Sequence, residues 1–471
     1  MRRRAFLATL AAATLPVHAA RAAAANPDVI VIGAGLSGLR AALDLEEQGL
    51  KVQVVEGRAR VGGRVYSLRE LPGAPEAGGN GFGSGYGRCL DTAEKLGVKL
   101  IDMFPRQMMN ETVLALQGKL ISRSAWESSP LNILPEGYRQ MMPNTIAASL
   151  IAKTNPLKNT DDWYEPTFSR YDRPIHEMYK AHGFSDAQIE LAYNINAYYG
   201  TSSHDVSMLM AYFNDIWVKG MMSGKPVSYA CVGGNMALPE AMARRLKSEV
   251  HSKRRVIGIR SDNAGVDVHC EGGATYRGKF AVCTVPLPVM RFISFDPPLP
   301  EVQSKAIKTV NYIPVTQVHL LAKSKFWETD GTSPSIWSDG LIGTLAPQRQ
   351  DPNSTDITSL VAFARGFGAI RLDQFAPEDA KKMVVAEIER LHPAAKGKLE
   401  AVILKSWTRD PFSGGDWAIW APGQVTELVP YVARPHGRIH FAGEHTSKSN
   451  RGMEGAQESG ERTAQEIGAR L

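Results

Sequence analysis

Residues Asp28 to Glu56 read DVIVIGAGLSGLRAALDLEEQGLKVQVVE. The apolar, β-branched run Val29-Ile30-Val31-Ile32 has the character of a buried parallel strand. Gly33, Gly35 and Gly38 follow as G-x-G-x-x-G. The first glycine permits a tight turn, the second lets backbone approach a pyrophosphate, and the third lets the next helix pack closely on the strand. Leu36 to Gln48 has helical spacing and ends at Gly49, a residue suited to the C′ position. Lys51 to Val55 reads as a second strand, with Glu56 at its end. A carboxylate there can accept hydrogen bonds from both hydroxyls of an adenine ribose. The helix start, at Leu36 and Ser37, offers backbone donors and a positive dipole end to phosphates. The stretch therefore predicts a dinucleotide-binding βαβ unit, and with it an α/β fold.

The next residues indicate which dinucleotide. Glu56, Gly57, Arg58, Arg60, Gly62, Gly63 and Arg64 form an E-x-R-x-R-x-G-G-R run, which resembles the second fingerprint of the flavin-containing amine oxidase superfamily. Nicotinamide enzymes do not need this second loop. The resemblance implies a Rossmann-like FAD domain of the GR2 type with a discontinuous α+β substrate domain. It places an arginine of this run opposite the phosphates, where a planar fork can bind bidentately. Gly78, Gly79 and Asn80 fall where the family runs a glycine pair beneath the flavin ring. Val256 falls where a backbone group pairs with the adenine edge. Near the C-terminus, Gly443-Glu444 and Gly452-Met453-Glu454-Gly455-Ala456 resemble the third FAD motif, with Glu444 near the ribityl–phosphate arm. The helix opening at Gly452 would aim its positive end at the flavin edge.

The same resemblance suggests the site residues and three departures from the pattern. Trp407 sits where the family packs an aromatic near the flavin, and Trp417 where it places one wall of an amine-guiding cage. Gln317 stands nine residues before Phe326-Trp327, where members commonly carry a lysine. A glutamine can hold a water but carries no charge and cannot act as a base, which weighs against fast reaction with oxygen. Asp416 replaces a cysteine that bonds covalently to flavin in some members, so FAD is expected to be non-covalent. Gly452 replaces the second cage aromatic. Amino-acid oxidases of the family usually clamp the substrate carboxylate with an arginine where Asn80 stands; Arg365, Arg409 and Arg451 remain as candidates for that task.

The 471 residues are 44% apolar and 22% charged, a globular composition able to bury a sizeable core. Arg2-Arg3-Arg4-Ala5-Phe6-Leu7, the apolar run Ala8 to Leu15 and Ala20-Arg21-Ala22 resemble a twin-arginine export signal spanning residues 1–25. The run is too short to serve as a permanent membrane span. The expected location is the periplasm, with the export machinery as a partner. Those 25 residues carry four arginines and no acids. Taking them from 54 basic residues leaves 50 against 48 acidic, so the charge falls from +6 to +2. With no basic stripe and no matching motif, nucleic acid is not an expected partner. Cys89, Cys231, Cys270 and Cys283 match no metal spacing and read as buried thiols rather than a fixed disulfide pattern.

The remaining chain divides by texture. Residues 26–80, 232–300 and 435–471 are assigned to the FAD domain, and 81–231 with 301–434 to the substrate domain. Residues 100 to 228 read as mostly helical, with Asp186 to Ala197 and Val206 to Trp217 the clearest pieces. Their aromatics Tyr193, Tyr198, Tyr199, Phe213 and Trp217 are candidates for a pocket lining or for plain core. The expected activity is FAD-dependent oxidation of a small-molecule amine: hydride leaves the α-carbon, and water hydrolyses the resulting imine. Oxygen or a redox partner would reoxidise the flavin. The alternatives are a periplasmic dehydrogenase or desaturase feeding a cytochrome or quinone, an L-amino-acid oxidase, and a flavoprotein scaffold without turnover. A homodimer is left open.

Overall fold

The computed structural model describes residues 26–103, 111–222, 227–349 and 356–471. The export-signal expectation for residues 1–25 lies outside them. The strand β1 (Val29–Ile32) sits at the centre of a four-stranded parallel sheet. It pairs on one side with β2 (Val52–Val55) and on the other with Phe280–Cys283, which in turn pairs with Ile439–Phe441. Every residue of β1 and of Phe280–Cys283 is buried, the pattern of a strand covered on both faces.

The helix α1 (Leu36–Glu47) crosses from β1 to β2 and packs on the terminal helix Gly452–Gly468. The two helices approach closely because Gly460 faces α1: a Cβ there would stand 2.3 Å from the Ser37 carbonyl oxygen. Gly49 closes α1 at φ +87°, the left-handed conformation expected of C′. The hairpin Val266–Cys270/Thr275–Gly278 joins Val256–Ser261 in a second four-stranded sheet.

A seven-stranded sheet forms the floor of the other half of the molecule. Its strand Val315–Ala322 lies between Leu399–Ser406 and Ile357–Arg365, antiparallel to both. The register sets Gln317 opposite Phe363 and Val315 opposite Arg365. The described part of residues 100–228 is mostly helical, as expected, and the far edge of this sheet is an exception. Val113–Leu116 and Lys119–Ile121 are paired strands. Gln117 and Gly118 join them, both at positive φ (+49° and +77°), the geometry of a two-residue hairpin turn that matches sheet twist. Helices stand at both expected places, Asp186–Ala192 ending earlier than expected and Met208–Met221 beginning and ending later. Tyr193, Tyr199 and Phe213 are core residues, and Tyr198 is half-exposed.

All four cysteines are free and buried. Burial pushes the Cys231 and Cys283 thiols up to about 12, so they are inert. Among the described residues no helix is long and apolar enough to cross a membrane, and no cluster of acidic, His and Cys side chains could hold a metal ion.

Candidate active site

A single cleft of about 410 Å³ runs from the carboxyl ends of β1 and β2 to the floor of the seven-stranded sheet. The open end of a parallel sheet is where ligands bind in such folds. At its first end the lining is backbone. Gly33, at φ +106°, leaves no room for a side chain, since a Cβ would stand 2.3 Å from Thr284 Oγ1. Beside Gly35 nothing lies within 4 Å of where a Cβ would be; that space belongs to the cleft. No side chain caps the start of α1 and no acid stands in its first turn, which leaves backbone N–H groups at Leu36 and Ser37 free for an anion. Glu56 is buried, and its two carboxylate oxygens accept from the backbone N–H of Ala34 and of Arg58, each at 2.7 Å. Each oxygen keeps capacity for a ribose hydroxyl. Gly57, Gly62, Gly63 and Val256 line the same end.

Arg58 also lines the cleft, but its fork is engaged. Nη1 and Nη2 donate to Asp410 at 2.9 and 2.7 Å, and Nη2 also donates to Ser413 Oγ at 2.8 Å. Burial alone would raise the Asp410 carboxyl. The hydrogen bonds and charges of Arg58 and Lys405 overcome it and hold the group at about 2. Arg58 thus ties the cofactor loop to the loop that carries Trp417. Arg64 reaches the same loop from the other side, donating to the Asp416 carbonyl, with Glu444 3.6 Å away.

In the middle of the cleft lie Gly78, Gly79, Asn80, Gly443, Glu444, Gly452, Met453 and Ala456. Gly78 must be glycine because a Cβ would meet the Trp407 ring at 2.6 Å and the Arg64 carbonyl at 2.3 Å. Trp407 is held in place by its indole N–H, which donates to the Ala77 carbonyl at 2.6 Å. Two predicted cofactor residues stay off the lining. Gly38 faces back onto β1, where a Cβ would stand 2.0 Å from the Gly33 carbonyl oxygen; its part is the close helix–strand contact. Glu454 turns the other way. Its carboxylate accepts from the backbone N–H of Arg88 and Cys89 at the start of the helix α2 (Gly87–Lys95), a cap rather than a cofactor contact. The sequence has a cue for this: an acid in the terminal helix's first turn can serve a neighbouring helix's start as readily as a ligand.

At the far end, side chains replace backbone. Gln317, Phe363, Arg365, Asp416 and Trp417 line it. Gln317 Oε1 accepts from His319 Nε2–H at 3.0 Å, and burial pushes the His319 imidazole down to about 4, so it is neutral. The Gln317 amide NH₂ makes no hydrogen bond to the described protein. The Trp417 indole N–H is buried with no partner among the described residues. Burial raises the Asp416 carboxyl from its ordinary value. Beside Gly452, its chain neighbours apart, the only atom of the described residues within 4 Å of where a Cβ would be is Tyr86 Oη at 3.9 Å. Tyr86, which the sequence reading did not single out, lines the cleft and packs on Phe82 and Trp217. Trp217 itself, like the core aromatics, is not in the lining.

Residues 36–468 match the model of the flavin-containing amine oxidoreductase family, so the chain belongs to that family. It is 25% identical to a putative L-amino-acid oxidase, YobN, of Bacillus subtilis strain 168, covering 93% of this chain and 94% of that protein. It is 27% identical to a flavin-containing amine oxidase of Oncorhynchus mykiss, covering 93% of this chain and 85% of the relative. Its fold matches cyclohexylamine oxidase from Brevibacterium oxydans IH-35A with a TM-score of 0.75 at 21% identity, over 95% of this chain and 99% of that one. Putrescine oxidase bound to putrescine matches with a TM-score of 0.73 at 24% identity, over 94% and 99% of the two chains.

The cofactor of the family is FAD, and the cleft fits it. Glycines leave space for a flat group, a helix start supplies free N–H donors, and Glu56 stands at the end of β2. Asp416 has no thiol with which to form a thioether.

Proposed function

We propose that this enzyme oxidises a small amine bound between Trp417, Phe363 and Gln317, with FAD held by Gly33, Gly35, Glu56, Gly63, Gly79 and Glu444. Held there, FAD would supply the two-electron acceptor for the hydride of the amine α-carbon and pass the electrons on. The protein's contribution is position and exclusion of water. The C–H bond breaks with its electron pair, the nitrogen releases a proton to solvent, and water hydrolyses the imine to a carbonyl compound and a smaller amine or ammonia. A neutral amine needs no general base for this, and none is assigned. The Trp417 face attracts the cationic amine before it is deprotonated. The observation that carries the reading is the continuity of one cleft, in which three glycine-rich segments meet an aromatic end.

The acceptor is proposed to be oxygen, with hydrogen peroxide as product. Gln317 gives a second reading its support. An amide where the family commonly has a lysine favours a dehydrogenase serving a cytochrome or quinone. The protein is further proposed to act in the periplasm after twin-arginine export of the folded holoenzyme, which suits a flavoprotein assembled where its cofactor is made. Anaerobic mixing with amines tests the activity: bleaching of the flavin band is expected, and no bleaching by any amine or amino acid would remove the reading. Readmitting air then separates the acceptors, since flavin that stays reduced until an artificial acceptor is added rules out the oxidase. Fractionation of cells expressing the full chain, with mass analysis of the mature N-terminus, tests export; full-length protein confined to the cytoplasm would defeat it.

A further inference from the structure

The arginine left to its own devices in this cleft is Arg365. It ends the strand Ile357–Arg365, two residues beyond Phe363 and therefore on the same face of the sheet. Its guanidinium lies over two rings, 4.6 Å from the centre of Phe363 and 5.3 Å from that of Tyr198. It makes no hydrogen bond and no ion pair with an acid among the described residues, although it lines the cleft. The other two candidates for an anion clamp are committed. Arg451 is buried, donates to the Ala418 carbonyl at 2.7 Å and pairs with Glu444 at 3.2 Å. Arg409 is off the lining and donates to the Asp373 carbonyl at 3.2 Å.

A guanidinium has five N–H donors and no acceptor. Its contacts with the two rings satisfy none of those donors. Asp416, an acid in the same lining, feels the charge of Arg365 but accepts no hydrogen bond from it. The Gln317 amide NH₂ is a second unpaired donor on the adjacent strand. The end of the cleft where substrate binds thus holds unpaired donors at Arg365, Gln317 and the Trp417 indole, beside a single carboxylate, Asp416.

We infer that Arg365 binds the carboxylate of the substrate, so that the preferred substrates are amines bearing a carboxylate, amino acids foremost, rather than simple amines. This rests on the amine-oxidising reading above and names its substrate class. It also accounts for Asn80: the anion contact comes from the sheet floor and needs no cation in the glycine-rich segment. A planar fork meeting a carboxylate gives two parallel charge-assisted hydrogen bonds.

The test uses the FAD-loaded protein and matched pairs that differ only in the carboxylate, such as L-phenylalanine with phenethylamine and L-ornithine with putrescine. Anaerobic flavin reduction gives an apparent Kd for each. In the wild type the acid of at least one pair should bind about 10-fold or more tightly than its amine. In Arg365→Met that acid-to-amine ratio should fall by about 30-fold, the loss expected for hydrogen bonds to a charged group. Arg365→Lys, which keeps the charge but not the fork, should fall between. Calorimetric titration with benzoate, an anion without an amine, reads the same contact without turnover and should lose its heat in Arg365→Met. Amines that match their acids in the wild type, or benzoate binding that survives Arg365→Met, would overturn the inference. If nothing reduces the flavin yet benzoate binding depends on Arg365, the anion site stands and the amine-oxidising reading falls.

Discussion

The two ends of the cleft are built by different means. The dinucleotide end is made of backbone: glycines, helix starts and one carboxylate, contributed by short contiguous runs. The substrate end is made of side chains that stand on separate strands and loops, Gln317, Phe363, Arg365 and Trp417, and meet only because the sheet register and the Arg58–Asp410 tie bring them together. At the first end an added side chain would collide with main chain at Gly38 and with Thr284 at Gly33, or occupy the cleft itself at Gly35. The second can change residue by residue while the fold persists.

The contrast can be broken most sharply at Gly38. A valine there would drive its Cβ to 2.0 Å from the Gly33 carbonyl oxygen and 3.1 Å from the Val31 side chain. Backbone cannot move aside as a flexible side chain could, so the cost should exceed about 3 kcal/mol. Gly38→Val is expected to purify without flavin and to unfold at much lower urea. A flavin-loaded variant of near wild-type stability would mean that the two ends do not differ as described.

The tie between the ends is the next largest effect. Arg58→Met leaves Asp410 buried with Lys405 as its remaining cation. Removing one partner of a buried pair is costly, and with Lys405 in place about 2 kcal/mol is expected near neutral pH. The pH dependence has a definite sign. Asp410 is held at about 2 against an ordinary 3.8, so its stabilisation is complete above the ordinary value and is lost as pH falls through the lower one. The stability gap between wild type and Arg58→Met, from urea unfolding, should therefore be constant above about pH 4 and begin to close below it. A gap that is unchanged on acidification would show that the ion pair is not its source.

The difference between the ends also explains what the sequence disclosed. Val29–Ile32, the three glycines and Glu56 are neighbours in the chain, and their roles follow from a local rule about turns, strands and helix starts. Arg365 carries no such local sign. Its place over Phe363 and Tyr198 depends on which strands pair and in what register, a long-range property absent from any window of sequence. Tyr86 is similar, since it reaches the space beside Gly452 from a different helix start. Glu454 looked like part of a flavin motif and proved to be a cap, because its partner helix is more than three hundred residues away in the chain. The strands at Val113 and Lys119 were missed for the opposite reason: the cue was local, two turn residues between apolar runs, but the surrounding helical texture masked it.

A smaller effect sharpens the same contrast from inside a glycine motif. Gly452 has φ +57° yet open space beside it, with only Tyr86 Oη at 3.9 Å. Gly452→Ala should cost only the left-handed backbone strain of a non-glycine residue, about 1 kcal/mol. Thermal unfolding of the holoenzyme checks this. A loss comparable to that of Gly38→Val would mean that Gly452 belongs with the close-packed backbone of the first end.

The smallest effect lies behind the substrate end, in the pair His319–Gln317. His319 Nε2–H fixes the Gln317 carbonyl oxygen and so decides that the amide NH₂ is the group left over. His319→Leu should cost about 1 kcal/mol, since one neutral hydrogen bond is lost while a buried apolar side chain is gained. Because burial depresses the imidazole from 6.5 to about 4, the unfolded chain takes up a proton between those values before the folded one does. Wild-type stability should thus decline as pH falls through that window, and the variant should lack this share of the decline. Urea midpoints measured near neutrality and at about pH 4.5 test the sign: the wild-type advantage must shrink or invert at the lower pH. An advantage that grows on acidification would mean that His319 is charged in the folded protein, and the Gln317 amide would then have to be turned by some other group.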